Sequence, residues 1–180
     1  MRIYEGSPRQ GWEEVLRSIG AYVDRERIKE LLLLELAAGF ILQGMAMPVA
    51  GARTESEMTL LKVTRELPDD DIAELMEAAP EARGTADTDT PHAGISNYYE
   101  QAMRVIGAYI DLNKPRDVFL FEQEGAFVLR LLMLGAGAAP MGHQLVEFTR
   151  EDIMAMIDAA PDQRSKPARE SGPPDGETVA

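Results

Sequence analysis

The fold is decided by a stretch of sequence that occurs twice: WEEVLRSIGAYVDRERIKELLLLELAAGFIL at residues 12–42 and YEQAMRVIGAYIDLNKPRDVFLFEQEGAFVL at residues 99–129. When the chain is shifted by 87 positions, these stretches are identical at 11 of 31 positions, and most other pairs are chemically alike. Self-similarity at a fixed spacing is the signature of an internal repeat. The sequence therefore predicts two copies of one structural unit, fused head to tail.

A second match lies near the end of each copy, at a shift of 81 positions. It aligns the Ala-Ala-Pro of residues 78–80 with that of residues 159–161, and Asp71 with Asp152. The difference between shifts of 87 and 81 means that the first copy carries six additional residues. We expect these residues in a loop at 48–59, because insertions are tolerated at the surface.

Each copy reads as a helix, three strands and a second helix. Apolar residues recur at helical spacing from Trp12 to Val23 and again from Tyr99 to Ile110. Strands are predicted at 29–36, 39–47 and 58–64 in the first copy, and at 116–123, 126–134 and 144–148 in the second. The run Val118–Phe121 lacks polar alternation, which is typical of a strand covered on both faces. Acidic residues at 69–71 and 151–152 favour the start of the second helix.

The predicted fold class is α+β: a tandem duplication of an α-β-β-β-α unit with antiparallel sheets, related by a pseudo-twofold axis. The first repeat spans residues 7–80 and the second spans residues 96–161. Residues 81–95 are rich in Gly, Thr, Asp and Pro and are predicted to be a linker, whereas residues 162–180 are predicted to be a disordered tail. We expect the two sheets either to join edge to edge or to pack through their apolar faces; two separate units on the linker are the alternative.

Residues that both copies share are interpreted as structural. The pairs Glu13–Arg17 and Glu100–Arg104 have the i,i+4 spacing of ion pairs along one helix. The shared glycine, Gly20 in the first copy, is predicted to allow close contact with a strand. The helix starts are predicted to be capped by side chains at Ser7 and Asn97.

The composition limits the classes of function. The 180-residue chain has no cysteine, which excludes disulfides and thiolate chemistry. A net charge of −13 disfavours binding to a phosphate backbone, so no nucleic-acid partner is expected. No apolar run approaches the roughly 20 residues of a membrane span, and the first residues do not resemble a signal peptide. A cytoplasmic protein without a membrane partner is predicted.

Two glutamates inside apolar strands are the candidate catalytic residues. Glu35 and Glu122 occupy equivalent positions in the two copies. If both were buried at the copy interface, their raised pKa values would suit general acid catalysis, as in a hydrolase. The competing interpretation is that each carboxylate faces solvent or pairs with an arginine such as Arg17 or Arg104.

Methionines on the second strands are the candidate binding residues. Met45, Met47 and Met133 lie beside the loops that differ between the copies. Methionine adapts to irregular apolar partners, so these residues indicate a groove for another protein or an amphipathic segment. Filling of the core is the competing interpretation.

Other motifs carry little functional signal. His92 and His143 lack neighbouring ligands at metal-binding spacing, so no metal site is predicted. A nuclease arrangement around Asp117 lacks the required lysine, and the glycines at 135–137 lack a following helix to bind phosphate. No cofactor is predicted.

Two hypotheses for function remain. The first is a non-enzymatic protein-binding module, an adaptor or a chaperone-like factor, existing as a monomer with an intramolecular pseudo-dimer or as a homo-oligomer. In general layout, the order α-β-β-β-α and the acidic composition resemble the small secretion chaperones. No sequence motif carries this resemblance, so it implies a protein-binding role by architecture alone. The second hypothesis is a hydrolase that uses Glu35 and Glu122 as paired acids.

Overall fold

A computed structural model describes residues 9–46, 61–78, 97–133 and 142–160 of the chain. The predicted linker at 81–95, the tail at 162–180, the loop at 48–59 and the glycines at 135–137 lie outside the described residues. The described part forms four helices and six strands in the order helix, three strands, helix, followed by the same order again. These elements are α1 (Trp12–Arg25), β1 (Ile28–Leu36), β2 (Gly39–Ala46), β3 (Leu61–Pro68), α2 (Asp69–Ala78), α3 (Tyr98–Asn113), β4 (Asp117–Gln123), β5 (Ala126–Met133), β6 (Gly142–Phe148) and α4 (Arg150–Ala159).

All six strands belong to one antiparallel sheet, with the order β3-β2-β1-β4-β5-β6. The α+β class predicted from the sequence is therefore confirmed. The two halves of the chain meet edge to edge where β1 pairs with β4. At this junction Leu33 lies opposite Leu120, flanked by the pairs Leu32–Phe121 and Leu34–Phe119.

Helices α1 and α3 cover one face of the sheet, and the core lies between them and the strands. Burial alternates along β1 and β4, because only one side of each strand faces the helices. Leu33 and Leu120 on the covered side are buried, whereas Phe119 and Phe121 on the other side are only half-buried. Within the described residues, helices cover one face of β4 and not both, contrary to the prediction; alternation was absent from the sequence because the other side of β4 is also apolar.

The two central helices pack with their backbones close together. A Cβ atom at Gly20 of α1 would overlap the backbone of Tyr99 and Glu100, and one at Gly107 of α3 would overlap that of Trp12 and Glu13. The glycines thus allow a helix–helix contact, and the predicted contact with a strand is wrong. Spacing along one helix does not reveal which element lies against it.

The starts of the central helices are capped by aspartates from the opposite helix. Asp24 Oδ1 and Oδ2 accept hydrogen bonds from the backbone N–H groups of Tyr99 and Glu100, at 3.2 and 2.8 Å. Asp111 accepts from the N–H groups of Trp12 and Glu13, both at 3.0 Å.

The caps predicted from local sequence are not the ones observed. Asn97 occupies the N-cap position of α3 without a side-chain cap bond, and its Nδ2 donates to Glu100 instead. The N-cap residue of α1 is Gly11, and Ser7 lies outside the described residues. Local sequence cannot anticipate a capping side chain that arrives from about 75 to 100 residues away.

Candidate functional site

Glu35 and Glu122 lie on the helix-covered face of the sheet, at opposite ends of the β1–β4 junction. Glu35 Oε2 accepts a hydrogen bond from the backbone N–H of Val118 at 3.0 Å, and Glu122 Oε2 accepts from that of Leu31 at 3.2 Å. The backbone pairing of β1 with β4 covers three residue pairs. Beyond each end of this pairing, a glutamate carboxylate accepts the hydrogen bond of the next backbone N–H group. Glu35 and Glu122 are 6% and 1% exposed.

Further hydrogen bonds satisfy both carboxylates. Glu35 Oε1 accepts from Arg9 Nε at 3.3 Å, and Glu122 Oε1 accepts from the backbone N–H of Gly125 at 2.7 Å. Burial raises the pKa of Glu35 to about 7, although the nearby Arg9 opposes the shift. A buried, fully bonded carboxylate of this kind stabilises the junction between two strands.

The hydrogen bonds place the two carboxylates about four residues apart along the β1–β4 junction. Their carboxylates bind the backbone near Leu31 and Val118, and Leu31 is four residues from Glu35 on the same strand. Four residues of strand span about 13 Å, whereas paired acids in hydrolysis lie within about 10 Å. Both glutamates therefore bond the backbone of the opposite strand at the junction, and their use as paired acids stays a hypothesis.

The charged residues that were predicted to pair within each helix form ion pairs between the two helices. Arg17 Nε lies 3.0 Å from Glu100 Oε1, and both side chains are nearly fully buried. Arg104 lies 3.4 Å from Glu13 in the equivalent position, where the glutamate is partly exposed. Arg104 also donates to the carbonyl oxygen of Ala160, beyond the end of α4. The sequence could not identify these partners, because both helices carry a glutamate and an arginine at the same spacing and each arginine could pair with either glutamate.

The side of the sheet opposite α1 and α3, here called the open face, carries apolar residues that were not predicted to form a site. At its centre, Leu34 is 36% exposed, and its cross-strand partner Phe119 is half-buried. Towards the edge, Leu145 on β6 is 63% exposed. The apolar residues of the open face are Leu32, Leu34, Ile41, Met45, Phe119, Phe121, Val128, Leu132 and Leu145, and the polar residues Gln43 and Arg130 lie among them. Arg130 lies between Phe119 and Leu145, and its guanidinium carbon is 5.5 Å from the centroid of the Phe119 ring, so the apolar surface at Leu34 is separate from Leu145. Exposed apolar surface marks binding sites in soluble proteins.

A groove of about 270 Å³ opens on this face, beside an irregularity in β1. It is lined by the apolar residues Leu32, Met45 and Phe121 and by the polar residues Glu30, Gln43, Lys62 and Gln123. The register of β1 against β2 shifts between Lys29 and Leu32, and Glu30 has a left-handed φ of 52°. The strand is therefore bulged here, a distortion that often lies next to binding sites.

The three candidate methionines do not form one site. Met45 lies on the open face and lines the groove. Met133 lies on the covered face, where it packs against the core. Met47 lies outside the described residues. A shift of 87 aligns Met45 with Leu132, so Met133 is one residue out of register, and neighbouring strand residues face opposite sides.

The aromatic and aliphatic residues at the centre of the open face were not predicted to form a binding surface. Phe119 and Phe121 lie in the run Val118–Phe121, which was predicted to be covered on both faces, and Leu34 was not singled out. Their common position is visible only from the strand order, because among the described residues α1 and α3 cover the opposite side of the six-stranded sheet. Non-alternating apolar strands fit two covered faces or one covered and one binding face equally well.

A second cavity, of about 400 Å³, lies where α1 begins and α3 ends. Arg9, Trp12, Asp111 and Lys114 are among its lining residues. Arg9 is held in place by Asp69, at 2.7 Å, and by the Phe40 ring, whose centroid lies 4.8 Å from the guanidinium carbon. The Asp111 carboxylate already accepts a hydrogen bond from the N-terminus of α1 here, so a side chain of the protein occupies the place where an anion would bind the helix.

The remaining candidate residues are not gathered into a site. His143 is exposed on β6, Asp117 is partly buried at the start of β4, and His92 lies outside the described residues. Within the described ranges, no three His, Asp or Glu side chains approach closely enough to hold a metal ion. None of the described helices is long and apolar enough to cross a membrane.

Comparisons with models of known protein families, with characterised proteins and with solved structures found no significant match.

Proposed function

We propose that the chain is a tandem duplication whose copies form an intramolecular pseudo-dimer, with a pseudo-twofold axis near the Leu33–Leu120 pair. The support is that contacts between the halves occur in pairs related by the shift of 87. The bonds of Asp24 have counterparts at Asp111, and the bond from Val118 to Glu35 has its counterpart in the bond from Leu31 to Glu122. A shared core of this kind stabilises units that are marginal alone.

We further propose that the protein is a non-enzymatic protein-binding module, adaptor or chaperone-like, that acts in the cytoplasm. The observation that carries this proposal is the apolar open face, centred on Leu34 and Phe119 and extended by the groove at Met45. No element of the described ranges covers this apolar face, and a partner that covers it would remove its apolar side chains from water.

The partner we propose is an amphipathic segment with basic residues beside its apolar side. The apolar side would cover Leu34 and Phe119, and one larger side chain would enter the groove at Met45. The net charge of −13 attracts basic segments and accelerates their encounter with the protein. The same charge repels nucleic acid.

A binding titration tests this proposal with a defined probe. The probe is a fluorescein-labelled, 18-residue helical peptide of Leu and Lys with all leucines on one side. We expect saturable binding to the full chain, followed by fluorescence anisotropy, and at least tenfold weaker binding to Leu34→Glu. The matched control is Leu112→Glu, which places the same charge on an 82% exposed leucine of α3, away from the open face.

A scrambled peptide of the same composition separates apolar docking from charge attraction. We expect the scrambled peptide, whose leucines are distributed all round the helix, to bind at least tenfold more weakly at 0.15 M salt. Equal binding of both peptides, or equal losses in Leu34→Glu and Leu112→Glu, would contradict docking on the open face.

A further inference from the structure

The two outer strands of the sheet differ in how they are protected against pairing with another chain. The β3 edge carries Lys62, Arg65 and Glu66 and ends at Pro68, which lacks a backbone N–H. Charged residues and proline are the usual means of keeping an edge strand free. The β3 edge is therefore well protected.

Strand β6 lacks this protection. Its sequence GHQLVEF has no proline and one formally charged residue, Glu147. Residues 142–145 are all exposed, and Leu145 is 63% exposed. Among the described residues, β6 pairs with β5 on one side and has no strand on the other. A seven-residue edge of low charge is a ready template for an added strand.

The sequence of β6 is complementary to itself. When two copies of the strand are placed antiparallel with Leu145 opposite Leu145, all seven residues from Gly142 to Phe148 find a partner. In this register His143 of each copy lies opposite Glu147 of the other. Leu145, His143 and Glu147 project to the same face of the sheet, so the pair of leucines is flanked on both sides by a histidine–glutamate pair.

We propose that two copies of this chain associate through β6, antiparallel and about a twofold axis at Leu145. The occupant of the edge is a second copy because an isologous contact requires a self-complementary strand, and this register supplies opposite partners for both polar open-face residues. The pairing joins two six-stranded sheets into one of twelve strands. The two open faces then form one continuous surface. The dimer does not depend on what the open face binds.

Sedimentation equilibrium of the full chain at 0.15 M salt tests the dimer. Between about 1 and 200 μM we expect the wild type to shift from monomer towards dimer. Leu145→Lys places like charges opposite each other at the axis, and we expect it to remain monomeric over this range. Leu112→Lys, with the same charge change on α3, and Leu34→Lys, on the open face away from the edge, are both expected to dimerise as the wild type does.

A charge exchange tests the register. Glu147→Lys places lysine opposite His143, and we expect the dimer dissociation constant to rise at least fivefold. Adding His143→Glu restores an opposite pair and is expected to return the constant to within about twofold of the wild type. Circular dichroism confirms that each variant is folded.

Several outcomes would overturn the proposal. These are a wild type that stays monomeric at 200 μM, a Leu145→Lys variant that still dimerises, and a dimer that is lost in Leu34→Lys but retained in Leu145→Lys. Failure of the His143→Glu, Glu147→Lys double variant to recover would overturn the proposed register. Peptide binding at the open face is a separate measurement, so either proposal can fail while the other stands.

Discussion

Leu33 lies directly opposite Leu120 at the centre of the sheet, and the two residues are separated by the same 87 positions that align the two halves of the sequence. Two sets of contacts that join the halves near this pair have equivalents with the roles of the halves exchanged. Asp24 and Asp111 provide one such exchange, and Arg17 and Arg104 provide another. The junction uses the same residues twice.

Removing a reciprocal cap should destabilise the protein. Asp111→Ala leaves the backbone N–H groups of Trp12 and Glu13 without their acceptor. We expect the free energy of unfolding at pH 7, measured with urea, to fall by about 1 to 2 kcal/mol. The control is Asp158→Ala, an exposed aspartate on α4, which should change stability by less than about 0.5 kcal/mol. Equal effects of the two variants would contradict the cap.

The buried ion pair between the central helices should be sensitive to the loss of one partner. Arg17→Met leaves the Glu100 carboxylate buried without the guanidinium at 3.0 Å. We expect a loss of about 3 to 5 kcal/mol, because an uncompensated buried charge is costly. Adding Glu100→Leu removes that charge and should recover most of the loss. A double variant as unstable as the single one would contradict this explanation.

The close helix contact should make glycine indispensable at two positions. Gly20→Ala and Gly107→Ala each place a methyl group where the backbone of the opposite helix lies. We expect each variant to lose about 1 to 3 kcal/mol in urea unfolding, although alanine is the better helix former by about 1 kcal/mol. Ala73→Gly, on the exposed surface of α2, measures the propensity alone and should cost about 1 kcal/mol. A gain in stability at Gly20 or Gly107 would contradict the close contact.

The titration of Asp24 should make stability depend on pH in an unusual direction. Burial raises the pKa of Asp24 from 3.8 to about 7, against the opposing hydrogen bonds from Glu100 and Tyr99. Between about pH 4 and pH 7 the folded protein keeps a proton that the unfolded chain has released. The contribution of Asp24 to the free energy of unfolding is therefore largest at low pH and falls as the pH rises through this window.

Asp24→Asn removes this titration while keeping the shape of the side chain. We expect the stability of the variant relative to wild type to increase by about 2 kcal/mol between pH 5 and pH 8. Glu35, whose pKa burial also raises to about 7, is present in both proteins and cancels in the difference. The control, Asp158→Asn, should show no such trend. A relative stability that instead decreases with pH would mean that the hydrogen bonds outweigh burial and lower the pKa of Asp24.

The sequence predicted the elements well because helical and strand periodicities are local properties. The order of the ten elements followed from residues such as Trp12–Val23 and from the repeated runs of strand residues. Contacts between elements were harder to predict. The partners of Gly20, Asp24 and Arg17 lie on the other central helix, and no spacing within α1 identifies them.

Whether a methionine belonged to the candidate site depended on a difference of one residue in strand position. Met45 and Met133 looked equivalent by position near the ends of the second strands, yet they lie on opposite faces of the sheet. A one-residue difference in register reverses the face of a strand residue. The open face was recognisable only once the strand order placed Leu34 beside Phe119.

Methyl-resolved NMR of the full chain, titrated with the amphipathic Leu and Lys peptide, tests the central claim most directly. We expect shift changes at methyl groups of the open face, including Leu34, Leu132 and Met45, and unchanged signals at Leu112 on α3 and Met76 on α2. Saturable changes confined to α2 and α4, or no changes at peptide concentrations up to about 1 mM, would contradict a protein-binding role for this face of the sheet.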